Sequence, residues 1–344
     1  MKMSRIFIVL LVFVAVLYGC SNKTDDETHE QPEKEEQEEK EPAVTYTAPL
    51  TGEEISEEND RRIVSVMVNN HPAARPQTGL LDADMTFEIL AEGSITRFLA
   101  LYQSEYPEVV GPVRSARDYY IDLANDYDSI YVFHGAIYFV YDHMTSVGID
   151  AIDGASYDND RVIFERASHR QAPHNSYVKF SGMLEKAEEK GYRLTDDVKA
   201  LTFTDSTLTT DEKAESVDIL YPGRQANETI TYEFNEGDNV YERYDTGEQT
   251  IDYETEDPIE MSNLFIVEAS HQVIDEEGRR AINLEDGGNG LLIRDGYVES
   301  VEWANEDGMI VPMKDGKQVA LSRGKTWVNV VPTDPGIEAI VNIR

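Results

Sequence analysis

Three stretches of this sequence concentrate side chains that bind anions or move protons. Glu165-Arg-Ala-Ser-His-Arg170-Gln-Ala-Pro-His174-Asn-Ser-Tyr177 places two histidines, two arginines, an asparagine and a tyrosine in one short polar segment. Gly111-Pro-Val-Arg-Ser-Ala-Arg117 carries Arg114 and Arg117 with no acid. Arg61 to Leu81 holds Arg61, Arg62 and Arg75, also with no acid, and includes Asn69-Asn70-His71. Guanidinium groups hold carboxylates and phosphates through paired N–H donors, and histidine exchanges protons near neutral pH. In that chemistry His174 is an acid/base group or ligand, Arg166 and Arg170 are anion clamps, and Asn175 is a hydrogen-bond donor. Arg114 and Arg117 read as an anion site at a helix start, where free N–H groups favour negative charge. The competing reading pairs both arginines with nearby carboxylates at the surface. Asn70, His71 and His134 join the set because each follows a strand-like run. Asp118 is the carboxylate that would orient His134 or His174 in acid–base chemistry.

The elements that position these groups follow from hydrophobic periodicity. Ile63 to Val68 reads as a buried strand, and Met85–Leu90 with Thr96–Tyr102 as a hairpin around Glu92-Gly93-Ser94. Ser115 is expected to cap a helix, with Asp118 completing a capping box and Tyr119, Tyr120, Leu123 and Ala124 forming its apolar face. Ser129 to His134 reads as a strand ending at Gly135, and Ala136 to Met144 as a helix. Tyr177, Phe180, Leu184 and Ala187 have helical spacing up to Gly191, with Asn175 or Ser176 as the cap. In open α/β sheets, ligands sit beyond the carboxyl ends of strands, where Asn70, His71 and His134 would lie. From Ser216 the chain turns β-rich, with Asp-Gly pairs at 286, 295, 307 and 315 as hairpin signals. The expected fold is α+β: a mixed α/β ligand-binding domain over 61–210, then a smaller, mostly antiparallel β domain over 211–344.

The 344 residues carry 30 Lys+Arg against 67 Asp+Glu, a formal net charge of −37. That balance argues against nucleic acid as a partner, since phosphate backbones are bound by clustered lysine and arginine. A single cysteine excludes a disulfide framework and Cys-rich metal sites. It stands at Cys20, after Lys2 and Arg5 and an apolar run from Ile6 to Leu17 that is too short to span a bilayer. Leu17-Tyr18-Gly19-Cys20 has the form of a bacterial lipobox. Residues 1–20 are therefore expected to be a lipoprotein signal peptide, with Cys20 the lipidation site, acylated with palmitate and anchored in the lipid bilayer. The location expected is the outer face of the bacterial cytoplasmic membrane, with the acidic segment 21–60 as a disordered tether. Asp150, Asp153, Asp158 and Asp160 could hold Ca²⁺, but their irregular spacing is that of a solvated acidic loop, and no cofactor is expected. Ser176-Tyr-Val-Lys179 has the S-x-x-K form without the S-D-N and K-T-G partners, and Asp245-Thr-Gly247 reads as a turn.

Six segments together resemble the YerB-like bacterial lipoproteins. They are Val66-Met-Val-Asn-Asn-His-Pro-Ala-Ala-Arg-Pro-Gln-Thr-Gly79, Ala83 to Arg97, Gly111-Pro-Val-Arg-Ser-Ala-Arg-Asp118, Phe133-His-Gly135, Ala172-Pro-His-Asn-Ser-Tyr177 and Gly324-Lys-Thr-Trp-Val-Asn329. The resemblance covers nearly all of residues 60–335 and implies a two-domain envelope lipoprotein whose domain is of unknown function. It carries no catalytic residue over. The function expected is non-enzymatic binding of an anionic cell-wall ligand or envelope protein through Arg114, Arg117, Arg166, Arg170, His174, Asn175, Asn70 and His71. One alternative is an envelope-polymer hydrolase or transferase using His134 or His174 with Asp118. Another is an interaction scaffold whose acidic region 201–260 steers a basic partner.

Overall fold

Runs such as Val64-Ser-Val-Met-Val-Asn69 and Thr326–Pro332 lack the polar alternation of a sheet with one wet face, and both are buried along their whole length. Strands of that kind need cover on both sides. In the computed structural model, which describes residues 45–344, they lie inside an eleven-stranded sheet. From one edge the order is Lys317–Gln318, Met309–Lys314, Tyr297–Glu306, Gly288–Arg294, Asn263–Ala269, Thr326–Pro332, Met85–Leu90, Thr96–Tyr102, Val64–Asn69, Ile130–Phe133 and Ala151–Asp153. Asn263–Ala269, Thr326–Pro332 and Met85–Leu90 are mutually parallel, as are Val64–Asn69, Ile130–Phe133 and Ala151–Asp153. Among the described residues the protein is mostly sheet, with 40% in strands and 12% in helices.

Alternation along the strands divides the core in two. Val64, Val66, Val68, Phe98, Ala100 and Tyr102 face a second, six-stranded sheet that supplies Val217, Ile219, Tyr232 and Tyr241. Met67, Phe87, Ile89, Leu99 and Leu101 face the other way, onto Tyr119, Tyr120 and Leu123 of α1 (Asp118–Asp126) and Val140 and Met144 of α2 (Tyr138–Val147). The third helix, α3 (Phe180–Glu189), packs Phe180, Met183 and Ala187 against the first of these cores.

Several expectations need correction. The fold begins before residue 60: Tyr46–Thr47 pairs with Glu54–Ile55, and Ala48, Leu50 and Thr51 are buried, because Leu50 docks into the helix-side core. The signal peptide, Cys20 and the tether up to residue 44 lie outside the described residues. Ser115 does not cap α1; the helix starts from Arg117, whose side chain makes no capping bond. Tyr177 is not helical: Ser176–Lys179 is a strand paired with Phe164–Arg166, and α3 starts at Phe180, so neither Asn175 nor Ser176 caps it. Three of the four Asp-Gly pairs make two-residue hairpin turns. Asp295, Asp307 and Asp315 take φ of 56°, 53° and 50° and their glycines 79°, 90° and 70°, the left-handed pair that twisted hairpins need. Asp286-Gly287 instead leads into the strand Gly288–Arg294.

Both sequence halves contribute to the same large sheet, and residues 45–344 form one compact unit. The link is also ionic. Glu88, fully buried on the strand Met85–Leu90, accepts from Arg243 Nε at 3.2 Å and Nη2 at 3.0 Å, and Arg243 belongs to the second sheet. Trp327 Nε1 (3.1 Å) and Thr96 Oγ1 (2.8 Å) donate to the same carboxylate. Arg243 also meets Asp245, which Arg75 and Arg224 approach to 2.8 and 3.2 Å. Burial raises the Asp245 pKa, but Arg243, Arg75 and Arg224 outweigh it and hold the group at about 2. Removing one partner leaves the other charge buried and uncompensated. Glu88→Ala or Arg243→Ala is therefore expected to cost about 3–5 kcal/mol in denaturant unfolding. Glu88→Leu with Arg243→Met should cost much less than the sum of the two single changes, and simple additivity would show that the pair does not couple.

Candidate functional site

The parallel strands Val64–Asn69, Ile130–Phe133 and Ala151–Asp153 end along one margin of the sheet. Beyond those ends come Asn70-His71, His134-Gly135 and Gly154-Ala155, while antiparallel pairing with Asn69 brings Arg97 to the same margin. The segment 112–116 is laid across these ends by backbone hydrogen bonds: Asn69 N to Pro112 O (2.8 Å), Arg114 N to Met67 O (2.8 Å), His134 N to Arg114 O (2.9 Å) and Ala116 N to Gly135 O (3.1 Å). Arg114 is thereby fixed between the first two strand ends. The loop before Ser176 is tied in by Val113 N to Ser176 O at 2.6 Å and Ala167 N to Asn175 O at 2.8 Å. Gly154 is required for clearance, since a Cβ there would lie 2.6 Å from His134 Nδ1.

Hydrogen bonds set the ring protons. Asn69 Oδ1 accepts from His71 N at 3.0 Å, so its amide nitrogen is the group 2.9 Å from His174 Nδ1. An amide N–H only donates, which makes His174 Nδ1 an acceptor and puts the proton of the neutral ring on Nε2. His71 Nδ1 accepts from Ala73 N at 3.1 Å, with the same consequence. The two rings stack with centroids 4.4 Å apart and planes 20° apart. His134 is set the opposite way. Arg166 Nη2 lies 3.1 Å from its Nε2 and can only donate, so Nδ1 carries the proton and donates to Ser176 Oγ at 2.7 Å.

All three histidines have pKa values below the ordinary imidazole value. Burial is the largest cause in each. Arg114 and Arg75 add to it at His71, and His71, Arg114 and Arg170 at His174. At His134, Arg166 is the main cation, partly offset by Asp158 and Asp153. Each ring is therefore a neutral donor near pH 7. The Arg114 guanidinium is half-buried, makes no ion pair or side-chain hydrogen bond among the described residues, and is depressed by burial and by Arg97. Arg114 and the Nε2–H groups of His71 and His174 together form a set of donors with no facing carboxylate, which suits an acceptor-rich, negatively charged group.

Of the residues expected from sequence, Arg114, His71, His134, Arg166, His174 and Asn175 converge here. Arg166 is a connector, donating to Asp158 Oδ1 at 2.7 Å and Asn175 Oδ1 at 2.9 Å as well as to His134. The other members are occupied elsewhere. Arg117 pairs with Glu92, as the ion-pair reading anticipated. Arg170 donates to the carbonyls of Ala73, Arg75 and Pro76 and to Tyr177 Oη, stapling two loops together. Asn70 is buried, bonded to Thr96, Arg75 and Gln77. Asp118 forms no hydrogen bond to His134 or His174; its Oδ1 is buried without a partner, and burial raises its pKa. The Asp150–Asp160 carboxylates are engaged too. Asp150 meets Arg62, Asp153 accepts from Gly135 N, Asp158 meets Arg166, and Asp160 accepts from three backbone N–H groups. Among the described residues no group of three His, Cys, Asp or Glu is placed to hold a metal ion.

The orienting roles of Asn69 and Ser176 were not foreseen. Asn69 has a signal, a polar residue closing an apolar strand; Ser176 has none, because its role depends on His134, forty-two residues earlier. The tautomers are directly testable. Histidine ¹⁵N–¹H spectra near pH 7 are expected to show Nε2–H for His71 and His174 and Nδ1–H for His134. Nε2–H at His134 would reverse the Ser176 hydrogen bond and with it the assignment above.

Comparison with known proteins agrees with this architecture. Residues 50–193 match the N-terminal domain, and residues 217–328 the C-terminal domain, of a family described as "Protein of unknown function (DUF3048)". A Bacillus subtilis (strain 168) protein named "Putative lipoprotein YerB" is 44% identical over 291 residues, 84% of this chain and 87% of the relative. The crystal structure of YerB protein from Bacillus subtilis superimposes with a TM-score of 0.79 at 42% identity, covering 87% of this chain and 99% of that one. With both halves matched and that relative shared over most of its length, the chain belongs to the DUF3048 family of YerB-like proteins.

Proposed function

We propose that the chain is an extracytoplasmic lipoprotein, held by acylated Cys20 on the outer face of the bacterial cytoplasmic membrane, that binds an anionic envelope ligand. The observation that carries the binding half is the convergence of Arg114 with the Nε2–H groups of His71 and His174 beyond the ends of parallel strands. The ligand is a carboxylate or phosphate, such as a wall-peptide carboxylate or a teichoic phosphate. The anchoring half is supported by the lipobox and by the name of the Bacillus subtilis relative. In addition, no helix among the described residues is long and apolar enough to cross a membrane. Binding is favoured over acid–base turnover because His134 donates to Ser176, where a general base would accept the hydroxyl proton.

Calorimetric titration of the full chain with inorganic phosphate and with purified wall fragments tests the site. Arg114→Gln is expected to weaken binding at least tenfold, while Arg117→Gln, which removes one of the two arginines paired with Glu92, leaves it unchanged; equal affinities for wild type and Arg114→Gln would sink the proposal. Acidification acts in two directions. His71 and His174, facing Arg75, Arg114, Arg170 and each other, gain protons only below the ordinary value of 6.5, so anion affinity rises as pH falls through that range. Folding stability falls over the same range, because the unfolded chain takes up those protons at higher pH than the folded one. Anchoring has its own test. Cys20→Ser is expected to abolish palmitate labelling and move the protein from the membrane to the soluble fraction, and continued membrane retention would refute a lipid anchor.

A further inference from the structure

The His71–His174 stack joins two loops far apart in sequence, so its geometry is no better fixed than the loops are. Arg170 ties them together. Its Nη1 donates to the carbonyls of Ala73 (3.1 Å) and Arg75 (3.0 Å) and its Nη2 to Pro76 O, all just after His71. Asn175 Nδ2 donates to the carbonyls of Ala167 (3.3 Å) and Arg170 (3.4 Å), closing the loop that carries His174. Guanidinium N–H bonds lie in the plane of the group, which leaves its flat faces free to pack on an aromatic ring. Tyr253 supplies that ring. The Arg170 Cζ lies 5.4 Å from its centroid, and the His169 ring stacks on it at 4.7 Å with planes 3° apart.

The ring is carried on a braced turn. Asp252 N donates to Asp257 O at 2.9 Å and Glu256 N to Asp252 O at 3.0 Å, while the Asp252 carboxylate accepts from Gly79 N at 2.6 Å and Glu254 N at 2.9 Å. Tyr253 N donates to Gln77 O at 2.7 Å, and Gln77 Nε2 donates to Asn69 O at 3.0 Å. Asn69 is the residue that sets the His174 tautomer. The turn is therefore coupled to the stacked rings through Gln77 on one side and through Arg170 on the other. It lies within residues 217–328, whereas His71, Arg114 and His174 lie within 50–193. We propose that Tyr253 is a positioning residue of the anion site: by packing on Arg170 and His169 it holds the His174 loop against the His71 segment, so the C-terminal domain completes a site whose donors belong to the N-terminal one. This role rests on the binding reading given above, and a loop ordered beforehand spares the cost of ordering it when the ligand arrives.

Titration of the full chain with inorganic phosphate, in Tyr253→Leu and Tyr253→Phe, tests the role. Leucine keeps apolar bulk and removes the ring, and phenylalanine keeps the ring. Tyr253→Leu is expected to raise the dissociation constant at least fivefold, and Tyr253→Phe to change it less than twofold. Histidine ¹⁵N–¹H titrations of the same proteins read the loop without any ligand. The His174 pKa, held down by burial and by His71, Arg114 and Arg170, should move up toward 6.5 in Tyr253→Leu and stay in place in Tyr253→Phe. Arg114-dependent phosphate binding that is unchanged in Tyr253→Leu, or equally weakened in both variants, overturns the positioning role and leaves the anion site standing. If the wild type binds no phosphate, the site itself fails and the titrations decide alone: an upward His174 shift confined to Tyr253→Leu supports the role, and unchanged titration overturns it.

Discussion

The pairing of Glu88 with Arg243 is the constraint around which the two sheets are arranged. Both groups are buried, and neither would be tolerated there alone. Glu88 is fixed by its strand in the large sheet and Arg243 by its strand in the second. The two sheets must therefore meet in one register, with the rings of Phe98 and Trp327, packed edge to face on each other, 5.3 and 5.4 Å from the guanidinium. Apolar side chains alone would permit small slides between the sheets; a bidentate contact backed by a pair of aromatic rings does not. This contact lies one residue pair from the margin where the candidate site forms, since Asn70 and Thr96 bond each other while Thr96 also bonds Glu88. The ionic core thus holds the Asn69-Asn70-His71 segment from beneath.

At the site itself, the arrangement selects for charge sign more than for shape. The protein has more than two acids for every base, yet His71 and His174 each carry a donor on Nε2 and Arg114 makes no ion pair among the described residues. Arg166 and Arg170, by contrast, are spent on connections, to His134, Asn175 and the Ala73–Pro76 carbonyls. Identical side chains thus serve as structure or as binding groups according to whether a carbonyl or carboxylate already fills their donors.

Much of the framework was legible in the sequence. Met85–Leu90 and Thr96–Tyr102 were readable to the residue, because continuous apolar runs around a glycine turn have few alternatives. Three Asp-Gly hairpins were readable because the turn demands two left-handed residues. The start of α3 was misread because Tyr177 has helical spacing from Phe180 by coincidence while its partner strand, Phe164–Arg166, is distant in the pattern. Convergence of Arg114, His71, His134 and His174 was readable as a possibility from the rule about strand ends, but Arg170 and Asn70 were not separable from them. What decides their roles is which carbonyls and amides lie within 3.5 Å, and that is settled by tertiary contacts. Glu88 had a local signal, one acid in an apolar strand, whereas its partner was marked only by inward alternation along Val240–Asp245.

The strand Thr326–Pro332 lies between Asn263–Ala269 and Met85–Leu90, parallel to both, in the middle of the large sheet. It is also the last strand of that sheet in chain order. The N-terminal strands can form a hairpin early, but the two halves have no direct ladder until residues near 330 are available to bridge them. Contacts of such long sequence separation are slow to form. A chain threaded through a membrane from its N-terminus would consequently keep an open sheet edge throughout passage and close it only at the end, so the topology itself postpones completion of the fold.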